Sequence, residues 1–225
     1  MSDVVKIPKN PSAEDNKAIR EASRWGKIQV VCELLKDTSV NPSVGDNSPI
    51  CDASRWGHVE VVRALLGDPR VDPSANYNSA LRFAARYGKE EVVCELLKDP
   101  RVNPSVRDNE AIINASRYNH VKVVRQLMKD LRVDPSARNN EAILVAARWG
   151  HIDVVRELLK DLRVDPSVLE NQAIRDAAQY AHMEIVRILI PIVYDLLTSE
   201  QRTDIQNQLD FDLEETVKEQ KKIKI

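Results

Sequence analysis

The 225-residue chain repeats itself every 31 residues, and this periodicity restricts its fold more than any other feature. Each of six consecutive copies has an asparagine, a Pro-Ser pair, an alanine and an aromatic residue at fixed places. The asparagines are Asn16, Asn47, Asn78, Asn109, Asn140 and Asn171. One unit of this length cannot bury its own apolar face, so successive units must stack. The periodicity therefore predicts a solenoid.

Within one unit, apolar residues recur at helical spacing in two short runs. In the fifth unit the first run contains Ile143 and Ala146, and the second contains Val155 and Leu158. This spacing predicts two short amphipathic helices per unit, and an all-α fold. Asn140 is expected to cap the first helix, because its side-chain oxygen can accept an amide of the first turn.

The connections between helices carry their own pattern. Gly150 is expected to end the first helix in the left-handed conformation, and Asn119 and Ala181 occupy the same place in the neighbouring units. Val164 lies in the loop after the second helix, at a place that is valine in five units. We therefore expect one loop valine per unit to enter the core.

The repeats also predict the domain organisation. Residues 1–9 form only a partial unit and are expected to cap the N-terminus. Residues 10–197 form the array, with first helices starting near residues 16, 47, 78, 109, 140 and 171. Residues 198–225 are acidic and then basic, which predicts a C-terminal capping helix that ends in a polar tail.

Composition excludes several classes of protein. The net charge of -2 argues against a strongly basic nucleic-acid binder. No apolar run reaches the roughly 18 residues of a membrane helix, and the first residues lack the apolar core of a signal peptide. Three cysteines indicate a reducing compartment and no disulfide framework. We expect a cytoplasmic protein, with the nucleus as a second location, and a monomer.

The repeated motif resembles the ankyrin repeat. The segments ASRWGHVEVVRALL at residues 53–66 and AARWGHIDVVRELL at residues 146–159 are similar to the central motif of that family. The segments NSPI and NSALRFAARYG, which begin at Asn47 and Asn78, are similar to its start. The unit is two residues shorter than the family's 33, and DPRVDPS replaces its glycine-rich turn, as in divergent ankyrin arrays of protists and large DNA viruses. We therefore expect a compact finger turn instead of a β-hairpin.

This resemblance implies a scaffold that binds another protein along a concave face made of first helices and finger tips. It implies no enzymatic activity, no cofactor, no metal and no small-molecule substrate. Places that vary between units are free to contact a partner, whereas constant places serve the stack. Two variable places in the first helices of the middle units carry Arg82, Phe83, Ile113, Asn114, Leu144 and Val145.

The apolar residues among these six predict an exposed patch, which is the usual mark of a partner site. The alternative is that the finger turns cover this face of the helix. The finger tips vary as well, and they form a weaker candidate surface. Their residues are Asn76, Tyr77, Arg107, Asp108, Arg138 and Asn139.

An arginine followed by an aromatic residue closes the first helix in five of the six units, and Gln179 replaces the arginine in the sixth. The pairs in the middle units are Arg86-Tyr87, Arg117-Tyr118 and Arg148-Trp149. An arginine row facing the groove favours an acidic partner. An arginine that recurs so regularly is more simply explained by a structural role. It could bond finger carbonyls or loop acids of the Asp68 type. The aromatic residues are expected to be half-buried between units, and they are secondary candidates for binding.

The histidines and cysteines do not form a reactive site in this pattern. His58, His120, His151 and His182 occupy one place in different units, about 10 Å or more apart. A zinc site needs its ligands about 2 Å from one ion, so we expect these histidines to bond the backbone at helix starts. Cys32 and Cys94 lie two units apart, too far for a disulfide.

Two alternatives to a protein-binding scaffold remain. One is a nucleic-acid or polyanion binder that uses the arginine row, although the net charge argues against it. The other is a structural spacer without a partner of its own.

Overall fold

The computed structural model describes residues 10–194, and it places helix pairs at the predicted period. These residues form two compact units, one ending at Val133 and the other beginning at Asp134. The predicted N-terminal cap and C-terminal capping helix lie outside the described residues.

Four helix pairs make up the first unit, and each pair comes from one sequence repeat. The helices are α1 (Ala13–Arg24), α2 (Ile28–Lys36), α3 (Val44–Trp56), α4 (Val59–Leu66), α5 (Ala75–Arg86), α6 (Glu90–Leu97), α7 (Val106–Arg117) and α8 (Val121–Leu127). The odd-numbered first helices pack in one layer and the even-numbered second helices in another. Each repeat therefore buries its apolar faces against its neighbours.

The second unit contains two pairs of the same kind. Its helices are α9 (Ala137–Arg148), α10 (Ile152–Leu158), α11 (Val168–Gln179) and α12 (Met183–Tyr194). Again the first helices pack on each other, and so do the second helices. The prediction of an all-α solenoid of stacked helix pairs is confirmed for residues 10–194, where the structure has no β-strand. No helix in this range is both long and apolar enough to cross a membrane.

The core of each repeat follows the predicted apolar pattern. In the third repeat Leu81, Val93 and Leu96 are fully buried, and so is the loop residue Val102. The corresponding loop valines of the other repeats are buried as well, as predicted: Val40, Val71, Val133 and Val164. Since the pattern recurs in each repeat, the core continues along each unit.

The finger is a left-handed turn instead of a β-hairpin, so the predicted compact turn is confirmed. In the third repeat Asn76, Tyr77 and Asn78 all have positive φ, at 49°, 56° and 53°. Such backbone costs about 1–2 kcal/mol for each non-glycine residue. The guanidinium of Arg82 offsets part of this cost by donating to the carbonyls of Tyr77, at 3.0 Å, and Asn76, at 3.2 Å.

The repeated asparagine does not cap the first helix, and that prediction is wrong. The Oδ1 of Asn78 accepts the backbone amide of Asn103 at 2.9 Å, and Asn47 accepts that of Asp72 at 2.9 Å. The side chain thus joins the finger to the loop 25 residues later. The left-handed φ of the asparagine turns its oxygen toward this loop, and no side-chain bond caps α5.

The residue before each Pro-Ser pair orders the start of the next repeat. The Oδ1 of Asp72 accepts the backbone amide of Ser74 at 2.9 Å and its hydroxyl at 2.6 Å. Asn103 holds Ser105 in the same way. These are Asx turns, which stabilise the chain as it leaves the loop.

Candidate functional site

The last turns of the first helices form an exposed row of alternating cationic and aromatic side chains in the first unit. Arg55 lies 4.8 Å from the ring centre of Tyr87 and 5.9 Å from that of Trp56. Arg86 lies 5.2 Å from the ring of Tyr118 and 6.0 Å from that of Tyr87. We call these five residues the arginine-aromatic ladder. Each arginine stacks on its own aromatic neighbour and on that of the next repeat.

The aromatic members of the ladder are about half-buried, as predicted, and the rest of each side chain is exposed. Trp56, Tyr87 and Tyr118 have exposed fractions of 48%, 38% and 42%. Their places lie at the ends of the first helices, beyond the alanine stripe that packs the repeats together. Exposed tyrosine and tryptophan side chains supply large contact areas at protein interfaces.

The ladder arginines do not bond the finger carbonyls or the loop acids, which the sequence suggested as their structural partners. Finger carbonyls are bonded by Arg82. Loop acids are bonded by a second arginine row, in which Arg70 donates to Asp68 at 2.6 Å. Among the described residues, Arg55 and Arg86 make no ion pair with a carboxylate. Neither guanidinium group is therefore held in an ion pair, although the Asp52 carboxylate is close enough to Arg55 for the two charges to interact.

The second arginine row holds neighbouring repeats together. Arg101 donates to the carbonyl of Val71 in the preceding repeat at 2.9 Å and to Asp99 at 2.6 Å. Arg132 bonds the carbonyl of Val102 at 2.9 Å in the same manner. The side-chain hydrogen bond from Arg101 lowers the pKa of Asp99 below its usual range. The Asp-x-Arg spacing in the loops was the sequence signal for this row, and its role was not predicted.

Asp52 lies near the N-terminal end of the ladder. Burial raises its pKa, and the nearby charges of Arg24 and Arg55 oppose this only in part. Asp52 does not form an ion pair with either arginine within the described residues. The Asp52 carboxylate therefore offsets part of the positive charge of Arg24 and Arg55 without forming an ion pair with either of them.

The predicted apolar patch is only partly accessible. Ile113 is 2% exposed and Val145 is 6% exposed, so the prediction that these two contribute to an exposed surface is wrong. Phe83 and Leu144 are half-buried. The reason is that the residue after the buried core position faces the next repeat. Cys51 occupies the place of Ile113 and packs its sulfur 2.8 Å from Ser79 of the next repeat.

Arg82 and Asn114 are also placed in the stack. Arg82 forms an ion pair with Glu110 of the next repeat at 2.9 Å, and it is mostly buried. Asn114 is half-buried, and its amide lies 3.5 Å from the same carboxylate. Arg82, which was predicted to bind a partner, therefore has a role in holding the finger and the repeats.

The finger tips are exposed, as their turn conformation requires. Arg107 lies 5.5 Å from the ring of Tyr77 and 2.9 Å from Glu110. Asn76, Asp108 and Asn139 are exposed, and Arg138 lies 3.4 Å from Glu141. The first-unit tips are thus joined by a cation–π contact. A binding role for these tips stays a prediction.

In the second unit the corresponding arginine is paired. Arg148 donates to the buried carboxylate of Asp176 at 2.9–3.0 Å, while Trp149 and Tyr180 are exposed. Gln172 also donates to Asp176, at 2.6 Å. Of the remaining predicted residues, Arg117 is half-buried in the first unit. The paired Arg148 offers less free charge to a partner than Arg55 or Arg86.

The histidines bond the backbone, as predicted. The Nε2 of His58 lies 3.0 Å from the carbonyl oxygen of Arg24, and that of His182 lies 3.1 Å from that of Arg148. Within residues 10–194, no group of three or more histidine, cysteine or acidic side chains could hold a metal ion. Burial raises the pKa of the Cys51 thiol to about 11, so this cysteine is protonated at neutral pH.

Comparison with protein families agrees with this geometry. A single ankyrin-repeat model matches residues 45–76, and a model of three ankyrin repeats matches residues 81–169. Together they span more than half of the chain. The chain belongs to the ankyrin-repeat family. Ankyrin repeats are generally protein-interaction modules and typically have no enzymatic activity. A comparison with curated proteins finds no significant match.

The ankyrin assignment makes Arg55 and Trp56 the main residues that sequence reasoning passed over. Both belong to the arginine and aromatic rows that the sequence shows. The candidate residues came only from the third to fifth repeats, because the variable positions of their first helices carry apolar residues. The signal that could have found them is the spacing of 32 residues from Arg55 to Tyr87 and from Arg86 to Tyr118. This spacing places each arginine beside the aromatic residue of the following ankyrin repeat.

Proposed function

We propose that this ankyrin-repeat protein is a non-enzymatic scaffold that binds an acidic segment of a partner protein along the arginine-aromatic ladder. The observation that carries the proposal is that Arg55 and Arg86 stack on exposed aromatic rings and form no ion pair with a carboxylate among the described residues. A guanidinium stacked on a ring keeps its N–H groups free to bind a carboxylate in two parallel hydrogen bonds.

Energetics support the ladder over the apolar patch that the sequence suggested. Arginine, tyrosine and tryptophan dominate the binding energy at many interfaces. Stacking restricts the arginine side chains before a partner arrives, which lowers the entropy lost on binding. Ile113 and Val145 are buried and cannot contact a partner without rearrangement.

Single-stranded nucleic acid fits the ladder less well. Such strands bind by stacking bases on free aromatic faces along a basic groove. Two guanidinium groups already lie over the ring of Tyr87. With the net charge of -2, this favours a carboxylate-bearing partner over a polyphosphate. A spacer role would leave the exposed rings and unpaired charges without a purpose.

The test is selection of a random peptide library displayed on phage against the purified chain. We expect the selected peptides to be enriched in aspartate and glutamate, and to be lost from an Arg55→Glu/Arg86→Glu variant. Lys129→Glu/Arg187→Glu is the matched control, because it makes the same charge change at exposed places outside the ladder. Equal melting temperatures would show that both variants are folded.

The selection can also contradict the proposal. Enriched peptides without acidic residues, or acidic peptides that bind the Arg55→Glu/Arg86→Glu variant as well as the unchanged chain, would exclude the ladder as the acidic-partner site. A similar loss in both double variants would show a nonspecific effect of charge, with no defined site.

A further inference from the structure

The distance between the two arginines of the ladder has an upper limit, because both lie over one ring. The guanidinium carbon of Arg55 is 4.8 Å from the centre of Tyr87, and that of Arg86 is 6.0 Å from it. The sum of these distances, about 11 Å, is the largest separation the two carbons can have. Packed helices lie about 8–10 Å apart, which is the expected step from one repeat to the next.

Few peptide conformations present carboxylates on one face with this step. In a polyproline II helix, residues three apart share a face and lie about 9 Å apart. In a β-strand, residues two apart share a face, but they lie only about 7 Å apart. An α-helix reaches about 10.5 Å on one face only at a separation of seven residues, which leaves two turns between carboxylates.

The rings of the ladder favour the polyproline II conformation over the α-helix. Proline-rich segments bind grooves lined with aromatic side chains, since their conformation is ordered before binding and costs little entropy. Tyr87 contacts the guanidinium groups of both arginines, and 38% of its side chain is exposed. A proline between two acidic residues would contact only the exposed part of this ring, which the two guanidinium groups leave open, and it needs no free ring face to stack on.

We propose that the ladder recognises a polyproline II segment with an acidic residue at every third position. This inference rests on the proposed function and specifies its partner. One carboxylate binds Arg55, the next binds Arg86, and the intervening residues contact the aromatic rings. Arg24 stacks on Trp25 at 5.6 Å in the preceding repeat and forms no ion pair with a carboxylate among the described residues, so it is the next cation in the same row.

The test compares two synthetic peptides of equal length, composition and charge with a third, helical peptide. One peptide has glutamate at every third position among prolines, and a second has the same glutamates side by side followed by the prolines. A third is an alanine-based helical peptide with glutamates seven residues apart. Each carries a fluorescent label and is titrated with the full chain, with fluorescence anisotropy as the readout.

We expect the spaced proline peptide to bind about tenfold more tightly than the grouped one, because only it can satisfy both arginines at once. Arg86→Glu is expected to remove this preference. Arg187→Glu is the matched control, since it makes the same change at an exposed place on α12, and should preserve the preference. Circular dichroism would establish that both variants are folded.

Other outcomes separate this inference from the proposed function. Equal affinities for the spaced and grouped peptides, both lost in Arg86→Glu, would overturn the spacing and leave an acidic-partner site in place. Tightest binding of the helical peptide would overturn the polyproline II conformation. An absence of binding by the spaced peptide, while acidic peptides selected by phage display still depend on Arg86, would also overturn the inference alone.

Discussion

The imidazole Nε2 of His120 lies 2.9 Å from the backbone carbonyl oxygen of Arg86, which precedes it by one repeat. This carbonyl belongs to the last turn of α5, where helical carbonyls have no partner within the helix. His58 and Arg24 repeat the relationship at 3.0 Å. The histidine thus fixes the backbone that carries a ladder arginine. His120 therefore links the packing of neighbouring repeats to the position of the candidate binding surface.

His120→Ala should destabilise the first unit by about 0.5–1.5 kcal/mol, the usual net contribution of one hydrogen bond. Lys89→Ala is the matched control, because Lys89 occupies the same place in the third repeat and its side chain makes no such bond. Urea denaturation followed by circular dichroism would measure both. Equal losses in the two variants would contradict a stabilising role for the imidazole–carbonyl bond.

Gly88→Ala should destabilise the protein more than Gly57→Ala. Both glycines have positive φ, so both variants bear a strain of about 1–2 kcal/mol. A Cβ on Gly88 would lie 2.5 Å from the His120 ring, which its bond to Arg86 holds in place. A Cβ on Gly57 would meet the flexible Lys89 side chain at 2.9 Å.

Thermal denaturation of the two glycine variants would measure this difference. The double variant Gly88→Ala/His120→Lys should recover part of the lost stability, because the new alanine then meets a lysine side chain that can move away, as in Gly57→Ala beside Lys89. A Gly57→Ala variant as unstable as Gly88→Ala would show that backbone strain alone determines the cost.

The loop acids predict how stability depends on pH. Hydrogen bonds from Arg101 hold the pKa of Asp99 below the usual value of about 3.9. Because the folded-state pKa is the lower one, the stabilisation is complete above the unfolded-state pKa. It is lost as pH falls through the folded-state pKa. Asp99→Asn should therefore be destabilising at pH 7, and the difference should shrink as pH falls below the unfolded-state pKa.

The measurement is the free energy of unfolding of Asp99→Asn and of the unchanged chain across this pH range. Asp153→Asn is the control, because it removes an exposed carboxylate on α10, and it should have little effect at any pH. A stability difference for Asp99→Asn that persists undiminished at low pH would show that the Asp99 charge is not the source of its contribution.

Much of the fold could be predicted from the sequence, because the stacking residues repeat in identical places. The helix pairs, the buried loop valines and the histidine–backbone bonds all follow from constant places. Gly150, Asn119 and Ala181 take positive φ, as predicted. A pattern that is weak in one repeat becomes clear when it recurs in six. The compact finger turn could be predicted because each repeat is two residues shorter than 33.

The candidate site could be predicted only in part, because a helical wheel does not show what the next repeat covers. Ile113 points away from the stripe of its own helix, yet it is buried. The roles of the arginine rows were equally hidden. Arg55 and Arg70 are both regular and both close to acids in sequence, and only the contacts show that Arg70 bonds its aspartate whereas Arg55 stacks on rings.

Substitution of Ile113 and Tyr118 separates the core from the binding surface. Ile113→Ala should lower the free energy of unfolding by about 2–5 kcal/mol, because it removes a side chain that is 2% exposed. Tyr118→Ala should cost at most about 1 kcal/mol, the value of one exposed cation–π contact with Arg86. Chemical denaturation measures both effects.

The effects of the same two variants on peptide affinity should be the reverse of their effects on stability. Tyr118→Ala removes a ring of the ladder and should weaken the spaced acidic peptide severalfold, whereas Ile113→Ala should retain its affinity at temperatures where it remains folded. Fluorescence anisotropy measures the affinities. If Ile113→Ala weakened the peptide while leaving stability unchanged, the apolar patch and not the ladder would be the partner surface.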